Sequence, residues 1–180
     1  MTLNVEFRAG TASNTTRAAY RRGEFSLEYS HRRSRDGLSP TLVRAINERL
    51  GIREAPSFFA IADTLTLVFA GAERELVAVE AYTNSQRWRR PGGILLPGLS
   101  GDGQIYLADT FQDDRIDLGV IPDYDYVEED RLLRVSLRAD QEGADYYRVS
   151  DSLIVGVARG ELVVLLIQII STDEASGLTE

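Results

Sequence analysis

From residue 153 to residue 170 the chain is apolar at almost every position, in two runs (153–157 and 162–170) parted by Ala158, Arg159, Gly160 and Glu161. Gly160 can take the positive φ that a tight turn needs, so the pattern predicts a β-hairpin. Gln168 is the single polar interruption of the second run, which predicts a strand covered on both faces and lying inside a sheet rather than at its edge. A buried helix can be equally apolar, but the β-branched content and the short runs favour strands. Arg159 and Glu161 also break the stretch well short of the roughly 20 apolar residues that cross a bilayer.

Residues 63–85 can be laid on residues 151–171 with a two-residue gap at the turn. Asp63 then falls on Asp151, Leu65 on Leu153, Ala70 on Ala158, and Glu75, Leu76 and Val77 on Glu161, Leu162 and Val163. One explanation is a pair of related hairpin units sharing a core. The other is that apolar hairpins with acidic turns resemble one another regardless of origin. In the earlier stretch Leu65, Leu67 and Phe69 alternate with Thr64, Thr66 and Val68, so this hairpin is expected to have a wetter face and to lie nearer the surface.

Shorter alternations supply further strands at residues 2–7, 24–29, 57–61, 104–108, 115–121 and 131–137. In 24–29 the residues Phe25, Leu27 and Tyr29 are expected to face one way. Residues 9–17 and 30–40 read as exposed connections. One helix is expected: Ser39 can cap it, Pro40 suits the first helical position, Gly51 lies just past its end, and Leu42, Ala45, Ile46 and Leu50 form its apolar stripe. Residues 86–102 read as loop, with Leu95 and Leu96 touching the core. The fold class that follows is mainly β, α+β in that it carries one short helix, built as an antiparallel β-sandwich or open barrel.

At 180 residues the chain is long enough for one self-sufficient core, and we expect a single domain over 1–171 with an acidic, disordered tail over 172–180. Cysteine is absent, which removes disulfides, thiolate metal sites and a cysteine nucleophile. The first residues lack the charged-then-apolar signature of a secretion signal and no later run could span a membrane, so a cytoplasmic location is expected. All 20 basic residues are arginine, which excludes a Schiff-base lysine and the lysine of a phosphate-binding P-loop. The net charge of −8 conceals two poles: residues 1–53 carry ten Arg against five acids, and residues 100–180 six Arg against 18 acids. Such poles can pair within the fold, between subunits or with separate partners.

Three sets of residues could carry chemistry. Tyr29, His31, Arg32 and Arg33 in one loop region, and Arg87, Trp88, Arg89 and Arg90 in another, combine cations with aromatic faces. These residue types suit single-stranded nucleic acid or a protein interface, although Tyr29 falls on the core face of its strand and the overall acidity disfavours nucleic acid. Asp123, Asp125 and Glu128 lead an acidic group, with Asp113, Asp114, Asp117, Glu129 and Asp130 nearby, whose clustered oxygens suit Ca²⁺ or Mg²⁺. The run DYDYVEEDRLLR departs from the EF-hand pattern, with Glu128 where the turn glycine belongs and Arg134 where the bidentate glutamate belongs. The same run also fits an edge strand whose outward charges prevent unwanted pairing. His31, the only histidine, sits among arginines that disfavour its imidazolium, and no nucleophile elbow or Gly-rich phosphate loop is present.

The sequence therefore points first to a non-enzymatic binding or assembly module, partnered by itself in a homo-oligomer or by another protein. A metal-dependent hydrolase using Ca or Mg on clustered carboxylates is the second expectation, and single-strand binding through the arginine and aromatic loops the third.

Overall fold

The computed structural model describes residues 2–12, 17–30, 57–108, 113–169 and 171–173. The expected helix between Ser39 and Gly51 lies outside the described residues, as do His31, Arg32 and Arg33.

The two long hairpins form as the apolar runs require. β5 (Leu65–Ala70) pairs antiparallel with β6 (Glu75–Tyr82), and β12 (Leu153–Ala158) with β13 (Glu161–Gln168). Arg159 and Gly160, with φ of 53° and 80°, make the two-residue turn of the second hairpin, positive at both central positions as a type I′ turn demands. β13 lies between β12 and β10 (Leu132–Ser136), and all its residues from Leu162 to Ile167 are buried, so both of its faces are covered as expected.

Each hairpin belongs to a larger unit, and the two units match strand for strand. The first contains β2 (Arg17–Arg21), β3 (Ser26–Ser30) and β4 (Ser57–Ala62) with β5 and β6; the second contains β9 (Asp123–Val127), β10 and β11 (Asp145–Ser150) with β12 and β13. Corresponding strands have equal lengths of 5, 5, 6, 6 and 8 residues. Their spatial orders also agree, β2-β3-β6-β5-β4 against β9-β10-β13-β12-β11. Register shifts fall between Val68 and Phe69 in one unit and between Gly156 and Val157 in the other, at matching positions. Each shift leaves an extra residue on the partner strand, which turns both Val77 and Ala78, or both Val163 and Val164, to the outer face. Even the turns agree: Phe25 and Arg131, the last turn residues before β3 and β10, have φ of 52° and 50°. The repeat is thus a five-stranded unit rather than a hairpin alone, a correspondence too long for generic hairpin resemblance.

The units are joined through β1 (Val5–Ala9) and β7 (Gly101–Leu107), an antiparallel pair with Val5 opposite Leu107. The Val5 amide donates to the carbonyl of Gly160 in the second unit's turn at 2.7 Å, and the Leu107 amide to that of Arg74 in the first unit's turn at 2.9 Å. Parallel partners complete each unit, β8 (Arg115–Asp117) beside β4 and β7 beside β11. β14 (Ser171–Asp173) adds in parallel to β2, so the expected tail contributes a short strand before the described residues end. The outcome is a large, mostly antiparallel mixed sheet that does not close into a barrel. One apolar cluster draws on both units, with Leu27, Leu65, Leu67, Leu76 and Ile105 packed alongside Leu133, Leu153, Val155 and Leu165.

Two glycines are dictated by close approach. A Cβ on Gly103 would lie 2.2 Å from the Arg8 carbonyl oxygen and within 3 Å of the Phe7 ring, which stacks on Tyr147 at 3.8 Å. A Cβ on Gly156 would meet Val164 and Tyr146 across the sheet. The SGDG segment read as loop therefore enters strand β7, and its Asp102 holds Arg148 by two hydrogen bonds of 3.0 and 2.8 Å.

Candidate functional site

The arginine and aromatic segment follows β6. Asn84 caps a single 3₁₀ turn (Ser85–Arg87), its side chain accepting the Gln86 amide at 2.9 Å, and the turn delivers Trp88 inward. Trp88 is only 5% exposed. Its indole N–H donates to Thr83 Oγ1 at 2.9 Å, and its ring lies 4.6 Å from Tyr20 of the first unit and 5.5 Å from Tyr126 of the second. Tyr20 and Tyr126 occupy matching positions of β2 and β9, so the tryptophan is wedged between equivalent rings. Tyr29 is buried as well; its hydroxyl donates to Ser150 Oγ at 2.9 Å, and burial pushes the phenol well above the usual tyrosine range. The expectation that Trp88 presents its ring at a surface is corrected, and Tyr29, although grouped with the surface residues, lies on the core face that its spacing indicates; each gains more by filling the core and finding an internal polar partner. Of the accompanying cations, Arg87 is exposed and Arg90 lies over the Tyr126 ring at 4.8 Å.

Arg89 explains what the acidic run does. It donates to both Asp125 oxygens, at 2.6 Å through Nε and 3.3 Å through Nη2, while Arg134 donates to Asp125 Oδ2 at 2.9 and 2.6 Å. The Asp125 side chain is 4% exposed and both of its oxygens are committed to guanidinium groups, which satisfies a buried charge that would otherwise be prohibitive. Asp123 stands 3.5 Å from Arg89, and Glu128 is exposed in the turn after β9. The metal set Asp123, Asp125 and Glu128 is therefore corrected to an arginine-bound aspartate with exposed neighbours. Among the described residues no group of three metal-ligating side chains converges. The edge-strand expectation fits better: β9 ends the strand order, and Arg89 closes its free side, its amide donating to Tyr124 O and its carbonyl accepting from the Tyr126 amide, each at 2.9 Å.

Beyond Arg90 the chain runs without strand to Ser100 and lies over the outer face of the second unit. Ile94 is the residue that packs there, against Val127, Leu132, Val163, Val164 and Leu166. Leu95 and Leu96, expected to touch the core, are 95% and 59% exposed, and Leu99 is exposed too. Only one side of so short a loop can face the sheet, and Ile94 takes it. Between this segment and the sheet is an open groove with a volume of about 620 Å³. Its walls include Leu132, Leu153, Ile154 and Leu166, and its rim carries Glu129, Asp130 and Asp151. Sequence reasoning missed the groove because three apolar residues inside a Gly- and Pro-rich stretch have no periodicity to show which are buried. No family model matches the chain and no curated protein matches it.

Proposed function

We propose that the chain is a protein-binding module that docks a segment of another protein along the groove beneath residues 94–96. The observation that carries this reading is the 95% exposure of Leu95, with Leu96 and Leu99 also exposed, beside a groove walled by further aliphatic side chains. Contiguous apolar surface of this kind on a folded chain is characteristic of interaction sites. The aliphatic walls and charged rim suit a polypeptide, which brings apolar side chains to the floor and polar groups to the edge.

The test is panning of a random peptide display library on the immobilised chain, with Leu95→Ser/Leu96→Ser as the counter-target. Because both side chains are exposed, the double variant should keep the wild-type thermal midpoint while losing the selected peptides. Peptides retained equally by both proteins would place binding elsewhere. Light scattering distinguishes a self-partnered groove: a dimer that the double variant converts to monomer would make a second copy the occupant.

A further inference from the structure

We infer that the segment docked in this groove carries aliphatic side chains flanked by arginine or lysine. The inference rests on the reading of the groove as a docking surface and adds the chemistry of the partner. It comes from comparing the two units position by position. Leu132, Ile154 and Leu166 of the groove stand where the first unit has Ser26, Thr66 and Glu80. The same strands with the same register are built with polar residues there, so the fold itself does not require an apolar outer face at this end of the sheet.

The rim differs in the same informative way. In the first unit Arg21 bonds Glu24 at 3.2 Å. The matching positions in the second unit are Val127 and Asp130, so the acid is retained while its internal cation is replaced by an apolar residue that faces the Ile94 cluster. Among the described residues no basic side chain lines the groove, and Glu129 and Asp130 take part in no ion pair, while Asp151 feels only the more distant charge of Arg148. The acids Asp102 and Asp125, by contrast, are matched internally by Arg148, Arg89 and Arg134. Two carboxylates with no cation beside them, Glu129 and Asp130, and a third, Asp151, that shares Arg148 with Asp102, ring an aliphatic floor and complement a segment that is apolar in the middle and cationic at its flanks, and charge complementarity of this kind selects partners and speeds their encounter.

The composition of the peptides selected on the wild-type chain tests this directly. They should be rich in Leu, Ile, Val or Phe and should carry more Arg and Lys than Asp and Glu. The tightest of them, followed by fluorescence anisotropy, should bind Glu129→Gln/Asp130→Asn/Asp151→Asn about tenfold more weakly at low salt, with the difference shrinking as salt rises. Peptides that are aliphatic but neutral or acidic, lost on Leu95→Ser/Leu96→Ser yet indifferent to the three rim substitutions, would overturn the cationic partner while leaving the docking surface standing. Cationic peptides without aliphatic residues would overturn the inference too, by showing a merely acidic surface. Enrichment of nothing on the wild-type chain would defeat the docking reading itself.

Discussion

Trp88 is the residue whose sequence context is most misleading. Three arginines surround it, and such a setting suggests a loop that offers its ring to a ligand. The Asn84 cap and the turn after it instead reverse the chain, so the ring enters the core while Arg89 and Arg90 remain outside to bond Asp125 and cover Tyr126. Replacing Trp88 by Ala should therefore act on stability, by about 3–5 kcal/mol in urea unfolding, as for other large core rings. Tyr29 was legible as a core residue from its spacing with Leu27, but its hydrogen bond to Ser150 was not, because the two residues are 121 positions apart. Its phenol ionises at higher pH when folded than when unfolded, so the unfolded chain releases its proton first. This contribution to stability is fully present below the unfolded value of about 10 and is lost as pH rises beyond it. Tyr29→Phe should lower the urea midpoint at neutral pH, through loss of a hydrogen bond worth about 1 kcal/mol, and should make the alkaline decline shallower. An unchanged alkaline slope would assign the decline to other groups, such as Tyr124, whose phenol is also raised by burial.

At the scale of elements, the strands with the clearest patterns were the ones recovered from sequence: β4, β5, β6, β10, β12 and β13 all coincide with alternating or continuous apolar runs. β2, with the sequence RAAYR, and β11, with DYYRVS, were not foreseen. Small and polar residues dominate them, and their strand state comes from neighbours: β2 between β3 and β14, β11 between β12 and β7. Pairing supplied by the rest of the sheet overrides weak local preference. The β12-β13 turn invites a quantitative check. Arg159 holds a left-handed conformation at φ 53°, which costs a non-glycine residue roughly 1 kcal/mol or more and which asparagine tolerates better. Arg159→Asn should stabilise the chain by about 0.5 kcal/mol in denaturant unfolding. Gly160→Ala should destabilise it by about 1 kcal/mol through backbone strain alone, since a Cβ there meets nothing within 4 Å.

For the whole molecule, sequence similarity between residues 63–85 and 151–171 was the visible part of a repeat that also includes β2, β3 and β4 and their counterparts. The remainder was hidden because the intervals differ: β3 and β4 are separated by residues 31–56, β10 and β11 by only 137–144. Strand lengths and bulges survive such insertions, whereas a gapless alignment does not. The proposed docking surface was legible only in part. Glu129 and Asp130 of its rim belong to the acidic run that the sequence displays, but Asp151 does not, and the groove depends on which of Ile94, Leu95 and Leu96 turns inward, and on a contrast between units that appears only once the strands are matched. Although the units repeat, they should not unfold one after the other. β1 bonds the turn of one unit while its partner β7 bonds the turn of the other, and the apolar cluster draws on both. Calorimetry should show a single transition with equal van't Hoff and calorimetric enthalpies; two resolved transitions would mean that each unit is stable alone.

The position of Trp88 has a practical consequence. It is the only tryptophan in the chain, and its ring lies against Tyr20 of one unit and Tyr124 and Tyr126 of the other. Its intrinsic fluorescence is therefore a label placed at the seam between the repeats. A spectrum that shifts toward that of a water-exposed indole reports the units parting, and one that stays fixed while a peptide fills the groove reports that docking leaves the seam closed.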